Sequence, residues 1–252
     1  MVSGESPTAF TAEQFHATWG ADVAEHFWNL ARNRLILDEI RRSAGPTPFR
    51  DVLEIGCGPG YVLRALRAGG VPVRGVEIAP DVPVPAAVAD YVATGTDCFD
   101  LPLARRSTVD CLLMLDVIEH LPDPVTFLAR LPGAFPAARV LIVTVPARAE
   151  LWSNYDTFFG HFRRYSRPGL SADLRAAGFA PLRSRYLFKS LYPVMLALKH
   201  VAGQRATTLA PPGQPALHRL IAWCFRTEAA VLPAGVWGTS IICTAARGGA
   251  NR

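Results

Sequence analysis

Glycines and an acidic side chain are grouped in residues 51–60, whose sequence is D-V-L-E-I-G-C-G-P-G. Gly56, Gly58 and Gly60 can adopt positive φ and let a ligand approach bare backbone. Their G-x-G-x-G spacing differs from the G-x-G-x-x-G of dinucleotide-binding turns. The carboxylate of Glu54, close to the first glycine, would repel a pyrophosphate and attract a positively charged ligand. The segment therefore predicts a turn that binds a cationic small molecule.

Three more carboxylates follow short apolar runs further along the chain: Glu77, Asp97 and Asp116. Because apolar runs of this length predict buried strands, each carboxylate is expected at or just beyond the carboxyl end of a strand. Ligands of open α/β sheets bind along that edge. Glu77, about 20 residues past the glycine turn, can accept both ribose hydroxyls of an adenosine.

These motifs together resemble those of a known family. The segment E-x-G-x-G-x-G after a predicted strand resembles motif I of the class I S-adenosylmethionine-dependent methyltransferases. Residues 95–102 resemble the G-D-A-x-x-L-P segment of that family, and residues 116–124 resemble D/E-V-x-E-H-x-x-D-P of ubiquinone/menaquinone-biosynthesis-like methyltransferases. Residues 156–166 resemble D-x-x-x-G-H-x-R-R-Y-S, and residues 26–33 resemble an H-F-W-F-x-x-R-N lead-in, both of a bacterial subgroup.

The resemblance implies S-adenosyl-L-methionine as the cofactor, whose ammonium and sulfonium groups suit an acidic, glycine-lined turn. The turn would hold the amino-acid end, Glu77 the ribose and Asp97 the adenine amino group. An alternative for Asp97 is a turn residue that bonds its own backbone. The predicted cofactor-binding residues are Glu54, Gly56, Cys57, Gly58, Gly60, Glu77, Ile78, Asp97, Cys98, Leu115 and Asp116.

The candidates for catalysis are His161, His120 and Asp156. A histidine suits proton removal near neutral pH, and His161 is the preferred general base. His120 is equally well explained as a structural histidine that ties its turn to neighbouring backbone. The histidines are scattered and lack the spacing of metal ligands, so no metal is expected.

Four residues are predicted to contact the substrate: Trp28, Tyr155, Arg163 and Arg164. The two arginines would hold an anionic group by forked hydrogen bonds. The alternatives are that Trp28 only packs against the core, and that residues 151–166 form a salt-bridged loop before the next helix.

The elements that must position these residues form an α/β fold. With the resemblance, the pattern predicts a Rossmann-like seven-stranded sheet, mostly parallel with strand seven antiparallel, preceded by N-terminal helices. The predicted strands cover residues 51–55, 71–77, 91–94, 109–115 and 140–145, a segment from residue 179, and residues 238–245. Prolines in residues 79–85 argue against a regular helix after the second strand.

The domain prediction has three parts. Residues 1–45 form an N-terminal helical lead-in or lid, residues 46–187 and 236–247 the methyltransferase core, and residues 188–235 a helical cap inserted before the last strand. The cap is expected to contain two helical stretches joined by a linker rich in Gly, Pro, Thr and Gln. A dimerising hairpin, or weak contact with a membrane surface through residues 187–232, is the alternative.

Composition limits the classes of protein to which the chain could belong. The chain has 252 residues, a net charge of +5 and 19% charged residues, as expected of one globular domain with an appended element. The sequence contains no dense block of Lys and Arg of the kind that would suggest nucleic-acid binding. The five cysteines form no C-x-x-C pair, and no signal peptide is recognised, so a cytoplasmic protein with reduced thiols is expected.

The sequence therefore predicts an S-adenosylmethionine-dependent methyltransferase that modifies an O, N or C nucleophile of a small-molecule acceptor. A non-catalytic protein that binds the same cofactor is the first alternative. A nicotinamide-dependent oxidoreductase is the second, and both the G-x-G-x-G spacing and Glu54 disfavour it. The acceptor and the oligomeric state stay open.

Overall fold

A computed structural model describes residues 10–18, 23–202 and 213–248 of the chain. The predicted linker of the cap lies largely outside these residues. The strands are β1 (Val52–Ile55), β2 (Val73–Val76), β3 (Val92–Ala93), β4 (Cys111–Leu115), β5 (Val140–Pro146), β6 (Phe179–Leu187) and β7 (Ser240–Arg247). The helices are α1 (Ala12–Thr18), α2 (Phe27–Ala44), α3 (Tyr61–Ala68), α4 (Leu103–Arg106), α5 (Pro124–Ala134), α6 (Asn154–Phe158), α7 (Arg167–Ala176), α8 (Leu191–Ala202) and α9 (Pro215–Val231).

The seven strands form one sheet in the order β3-β2-β1-β4-β5-β7-β6. Strands β1 to β5 pair in parallel, whereas β7 is antiparallel to both β5 and β6. The predicted fold class is thus confirmed. Because the first five strands are parallel, their carboxyl ends meet at one edge, and the order reverses between β1 and β4.

The central strands are buried on both faces, which explains their continuous apolar sequences. Every residue of β1 and β4 is buried. Successive side chains alternate between two cores, so that Leu113 packs in the layer that contains α2, α3 and α9, and Leu112 in the layer of α5 and α7. This double layer makes the strand tips a rigid base for a site.

The connection between β2 and β3 contains only a short 3-10 turn, Ala86–Tyr91. This confirms the expectation, based on the prolines, that no regular helix follows the second strand. The second strand is shorter than predicted, because the N–H of Val71 bonds back to the Leu66 carbonyl oxygen at 3.0 Å and closes the turn after α3.

Helices α8 and α9 lie between β6 and β7, where two helical stretches were predicted. Helix α9 packs on α2 through Ala222, Phe225 and Ala229. Glu228 fastens it to the end of β6, since its carboxylate accepts the N–H groups of Lys189 at 2.5 Å and Ser190 at 3.0 Å. Among the described helices, none is long and apolar enough to cross a membrane. The domain boundaries stay predictions.

Candidate functional site

A cavity of about 720 Å³ lies at the carboxyl ends of β1, β2, β4 and β5. Side chains of α2 and α8 and the loop around α6 complete its wall. Most of the predicted site residues line it; Gly60, Asp156 and Arg163 do not. The fold thus brings together residues from six separate parts of the sequence.

The glycine turn at the tip of β1 has the backbone that its sequence predicts. Gly56, Gly58 and Gly60 have φ values of 73°, 52° and 78°. A Cβ on Gly56 would come within 2.7 Å of a Val117 methyl carbon, so only glycine fits there without displacement. Gly60 serves as the N-cap of α3 and does not line the cavity. The turn therefore presents bare backbone at Gly56 and Gly58.

Glu77 braces this turn from the neighbouring strand. One carboxylate oxygen accepts the Gly58 N–H at 2.9 Å, and the other accepts the Ala79 N–H at 3.0 Å. Each carboxylate oxygen has a second lone pair, so the buried side chain can still accept from a ligand. The predicted contact with ribose hydroxyls is compatible with this geometry and stays a prediction.

Glu54 is buried beside the turn, and its Oε2 atom has no hydrogen-bond partner. Burial raises the pKa of Glu54 to about 8, and the nearby Glu77 adds to the rise while Arg32 opposes it. An unpaired buried carboxyl group is costly as an anion but becomes favourable when a cation faces it. The site is therefore built to gain from a positively charged ligand.

Asp97 caps the 3-10 turn Cys98–Asp100, because its Oδ1 accepts the Phe99 N–H at 2.9 Å. The alternative of a turn aspartate is thus observed. Asp97 and Cys98 also line the cavity, so the same side chain can face a ligand. The adenine contact stays a prediction.

Asp116 sits at the tip of β4 with a φ of 60°, an uncommon value for a residue other than glycine. Its Oδ2 pairs with Nη2 of Arg32 at 2.6 Å, and its Oδ1 accepts from the Thr144 hydroxyl at 3.1 Å. Arg32 reaches the site from α2 and is nearly inaccessible to solvent. Sequence reasoning missed Arg32, although the R-N of the lead-in segment was a signal for it.

Asp156 lies behind His161 and fixes its ring. Its Oδ1 is 2.8 Å from Nδ1 of His161 and accepts from Nε of Arg164 at 2.7 Å. Burial alone would raise the pKa of Asp156, but the hydrogen bonds from His161 and Arg164 outweigh it and hold the value at about 2. His161, and not Asp156, therefore faces the cavity.

The two predicted substrate arginines are both bonded to protein groups. Arg164 donates to Asp156 and to the Ala147 carbonyl oxygen at 3.1 Å. Arg163 donates to the carbonyl oxygens of Leu121 at 3.2 Å and Pro122 at 2.7 Å, away from the cavity. These bonds match the alternative of a salt-bridged loop, and for Arg163 an anion-binding role has no geometric support.

Glu119, His120 and His161 form a cluster that the sequence did not reveal. One ligand-type atom from each lies within 4.8 Å of the others. Glu119 is 1% exposed, and neither of its carboxylate oxygens has a partner. Burial and the neighbouring His161 lower the pKa of His120 to about 4, so His120 is neutral near pH 7.

The expectation of no metal stays a prediction, although the fold brings together donor groups that are far apart in the sequence. Two imidazoles and a carboxylate are a donor set for a divalent cation, and a carboxylate behind one of the histidines is a common second layer of such sites. The sequence concealed the set because Glu119 and His161 lie in different loops, after β4 and after β5.

The cavity and its residues can be compared with known proteins. A family model described as "Methyltransferase domain" matches residues 27–184. The chain is 27% identical over 124 residues to "Ubiquinone biosynthesis O-methyltransferase" of Pseudoalteromonas translucida. The aligned segment covers 42% of this chain and 51% of that protein. The chain thus spans about half the length of the curated relatives it matches.

Two solved structures share the fold. A SAM-dependent methyltransferase from Archaeoglobus fulgidus has a TM-score of 0.50 and 17% identity, over 85% of this chain and 94% of that chain. Burkholderia thailandensis 1,6-didemethyltoxoflavin-N1-methyltransferase, with 1,6-didemethyltoxoflavin and S-adenosylhomocysteine bound, has a TM-score of 0.50 and 19% identity, over 91% of this chain and 80% of that chain. Since the family model spans well over half of the sequence, the chain belongs to the methyltransferase-domain family.

Proposed function

We propose that this chain is an S-adenosylmethionine-dependent methyltransferase that modifies a small-molecule acceptor. The observation that carries the proposal is the convergence of the glycine turn with Glu54, Glu77 and Asp97 on one cavity at the strand tips. The turn and Glu77 suit the amino-acid end and the ribose of the cofactor. The unpaired Glu54 suits a cation and would oppose a pyrophosphate, which disfavours a nicotinamide cofactor.

Methyl transfer depends more on the alignment of the acceptor nucleophile with the methyl group than on protein side chains that take part in the reaction. The acceptor's electron pair attacks the methyl carbon, the carbon–sulfur bond breaks, and the sulfur leaves as a neutral thioether. Holding the two molecules in line replaces a bimolecular encounter and supplies much of the rate. An acceptor that loses a proton needs a base, and we assign that role to His161, because Asp156 occupies its Nδ1 and leaves Nε2 for the cavity.

Much of the cavity lining is apolar and aromatic. It contains Phe10, Phe15, Phe27, Trp28, Tyr155 and Phe159. Trp28 stacks on Phe188, with ring centroids 5.8 Å apart, so its ring is fixed from behind. We therefore expect an acceptor with a ring or another apolar body. The O-methyltransferase name of the curated relatives makes ring hydroxyl groups the first acceptors to test.

Glu119, His120 and His161 fit a divalent cation by the chemistry of their donor set and by the two unpaired oxygens of Glu119. Such an ion would supply a Lewis acid for an acceptor hydroxyl and would replace the base, because Nε2 of His161 cannot both bind an ion and remove a proton. Metal content of the purified protein, measured by elemental analysis for wild type and Glu119→Gln, tests this fit. Stoichiometric metal lost in the variant supports it, and equal content in both refutes it.

The proposed activity is tested by calorimetry followed by an acceptor screen. We expect heat of binding with S-adenosylmethionine and S-adenosylhomocysteine and none with NAD or NADP. Glu77→Gln should weaken binding, whereas Glu25→Gln, an exposed control in the turn before α2, should not. Release of S-adenosylhomocysteine with a ring hydroxyl acceptor would establish transfer. Cofactor binding without release by any acceptor class would favour the non-catalytic alternative.

The compartment is part of the same proposal. All five cysteines are free, and four of them are buried. Free thiols of this kind are typical of a reducing compartment, so we place the protein in the cytoplasm.

A further inference from the structure

Helix α9 has apolar side chains on two faces. One face, formed by Ala222, Phe225 and Ala229, is buried on the protein. The other face exposes four large apolar side chains, with 47% exposure for Leu217, 57% for Leu220, 58% for Trp223 and 74% for Val231. A second apolar face on a helix that is already packed is typical of an interaction surface.

Helix α8 also exposes apolar side chains, and it borders the cavity. Val194, Leu198 and Val201 are exposed by 50%, 56% and 86%. Leu198 also lines the cavity, together with Leu191 and Met195 of the same helix. The exposed apolar side chains of α8 and α9 are called the cap face below: Val194, Leu198, Val201, Leu217, Leu220, Trp223 and Val231.

The cap face belongs to a part of the chain with few acids. Residues 187–237 contain five Lys or Arg and a single acid, Glu228, which gives this segment a net charge of +4. Glu228 is occupied by backbone N–H groups of residues 189 and 190. Lys199, Arg219 and Arg226 are exposed on α8 and α9, so cations border the cap face.

The combination of apolar and basic side chains indicates which kind of partner binds the cap face. A second copy of the chain would bring the same basic surface against itself, which like charges disfavour. Exposed Leu and Trp flanked by Lys and Arg are the pattern of helices that lie in a membrane interface. Anionic lipid attracts such cations and accepts the apolar side chains. We propose that α8 and α9 bind an anionic lipid surface through the cap face.

The proposal bears on the acceptor if the proposed methyltransferase function holds. Because Leu198 belongs both to the cap face and to the cavity wall, an acceptor held in lipid would reach the cavity along α8. Lipid binding itself does not depend on that function, and the two are measured separately.

The test is co-sedimentation of the full chain with lipid vesicles. We expect binding to vesicles of phosphatidylcholine with one-third phosphatidylglycerol, weaker binding to pure phosphatidylcholine, and release at high salt. Leu220→Glu and Trp223→Glu should each lower the partition coefficient by more than about tenfold, because they put a carboxylate into the lipid contact. Arg226→Glu should lower it by more than about fivefold, since one basic residue near an anionic surface contributes about that factor.

Leu103→Glu is the matched control, because Leu103 is 64% exposed on α4, outside the cap. It should bind vesicles like wild type. Thermal unfolding followed by circular dichroism, measured for each variant, shows that the fold is intact. Equal sedimentation of wild type and both cap variants would overturn the proposal. So would a wild-type dimer in analytical ultracentrifugation that Leu220→Glu dissociates, because the cap face would then be an interface between two copies.

Discussion

Raising the pH from 6 to 8 should tighten the binding of S-adenosylmethionine, because Glu54 must lose a proton to face a cation. The pKa of Glu54 is about 8 in the ligand-free cavity. At pH 7 roughly one-tenth of the molecules then carry the charged form, and each pH unit below 8 costs about tenfold in affinity, or about 1.4 kcal/mol. Above pH 8 the affinity should level off.

Titration calorimetry at pH 6, 7 and 8, in buffers of different ionisation enthalpy, measures both the affinity and the proton count. Near pH 7 close to one proton should be released for each cofactor bound, because most Glu54 side chains begin protonated. Glu54→Gln keeps the shape but cannot ionise, so it should remove the slope and the proton release together. Glu25→Gln, at an exposed position, should retain both. A wild-type affinity that does not change with pH, and no proton release, would refute the role given to Glu54.

Three further predictions follow from the same geometry. Gly56→Ala should lower cofactor affinity at least about tenfold in calorimetry, because its Cβ meets Val117 at the turn; Gly70→Ala, also at positive φ but in open space, should cost stability without loss of affinity. Asp156→Asn should lower the free energy of unfolding in urea by about 3–5 kcal/mol, because it leaves buried Arg164 unpaired; an unchanged midpoint would contradict this. Because the pKa of Glu54 is higher in the folded protein than the 4.5 of the unfolded chain, its contribution to the stability of the ligand-free fold is complete only below pH 4.5. The free energy of unfolding should therefore fall by about 1.4 kcal/mol per pH unit as the pH rises from 4.5 towards 8. Calorimetric melting of wild type and Glu54→Gln tests this.

The sheet and the strand tips could be predicted because their information is local. Continuous apolar runs identified the buried strands, and the glycines and acids that follow them identified the site edge. The proline-rich connection after β2 was also predictable, since proline excludes a regular helix wherever it falls. Even the two helices before β7 were visible as apolar stretches.

The partners of the site residues could not be predicted, because they come from distant parts of the chain. Arg32 lies on a helix that precedes the whole sheet, and only the fold brings it to Asp116. Glu119 is next to the predicted residue His120 in the sequence. Its burial without a hydrogen-bond partner and its proximity to His161 depend on the tertiary structure. Arg163 and Arg164 are adjacent in the sequence, and only the structure distinguishes the one that lines the cavity.

A crystal structure with S-adenosylhomocysteine bound would show whether the strand tips hold this ligand. We expect the ribose hydroxyls within hydrogen-bond distance of Glu77, the amino-acid end over Gly56 and Gly58, and the sulfur towards His161. A ligand bound elsewhere, or in the cavity with its ribose turned away from Glu77, would contradict this expectation.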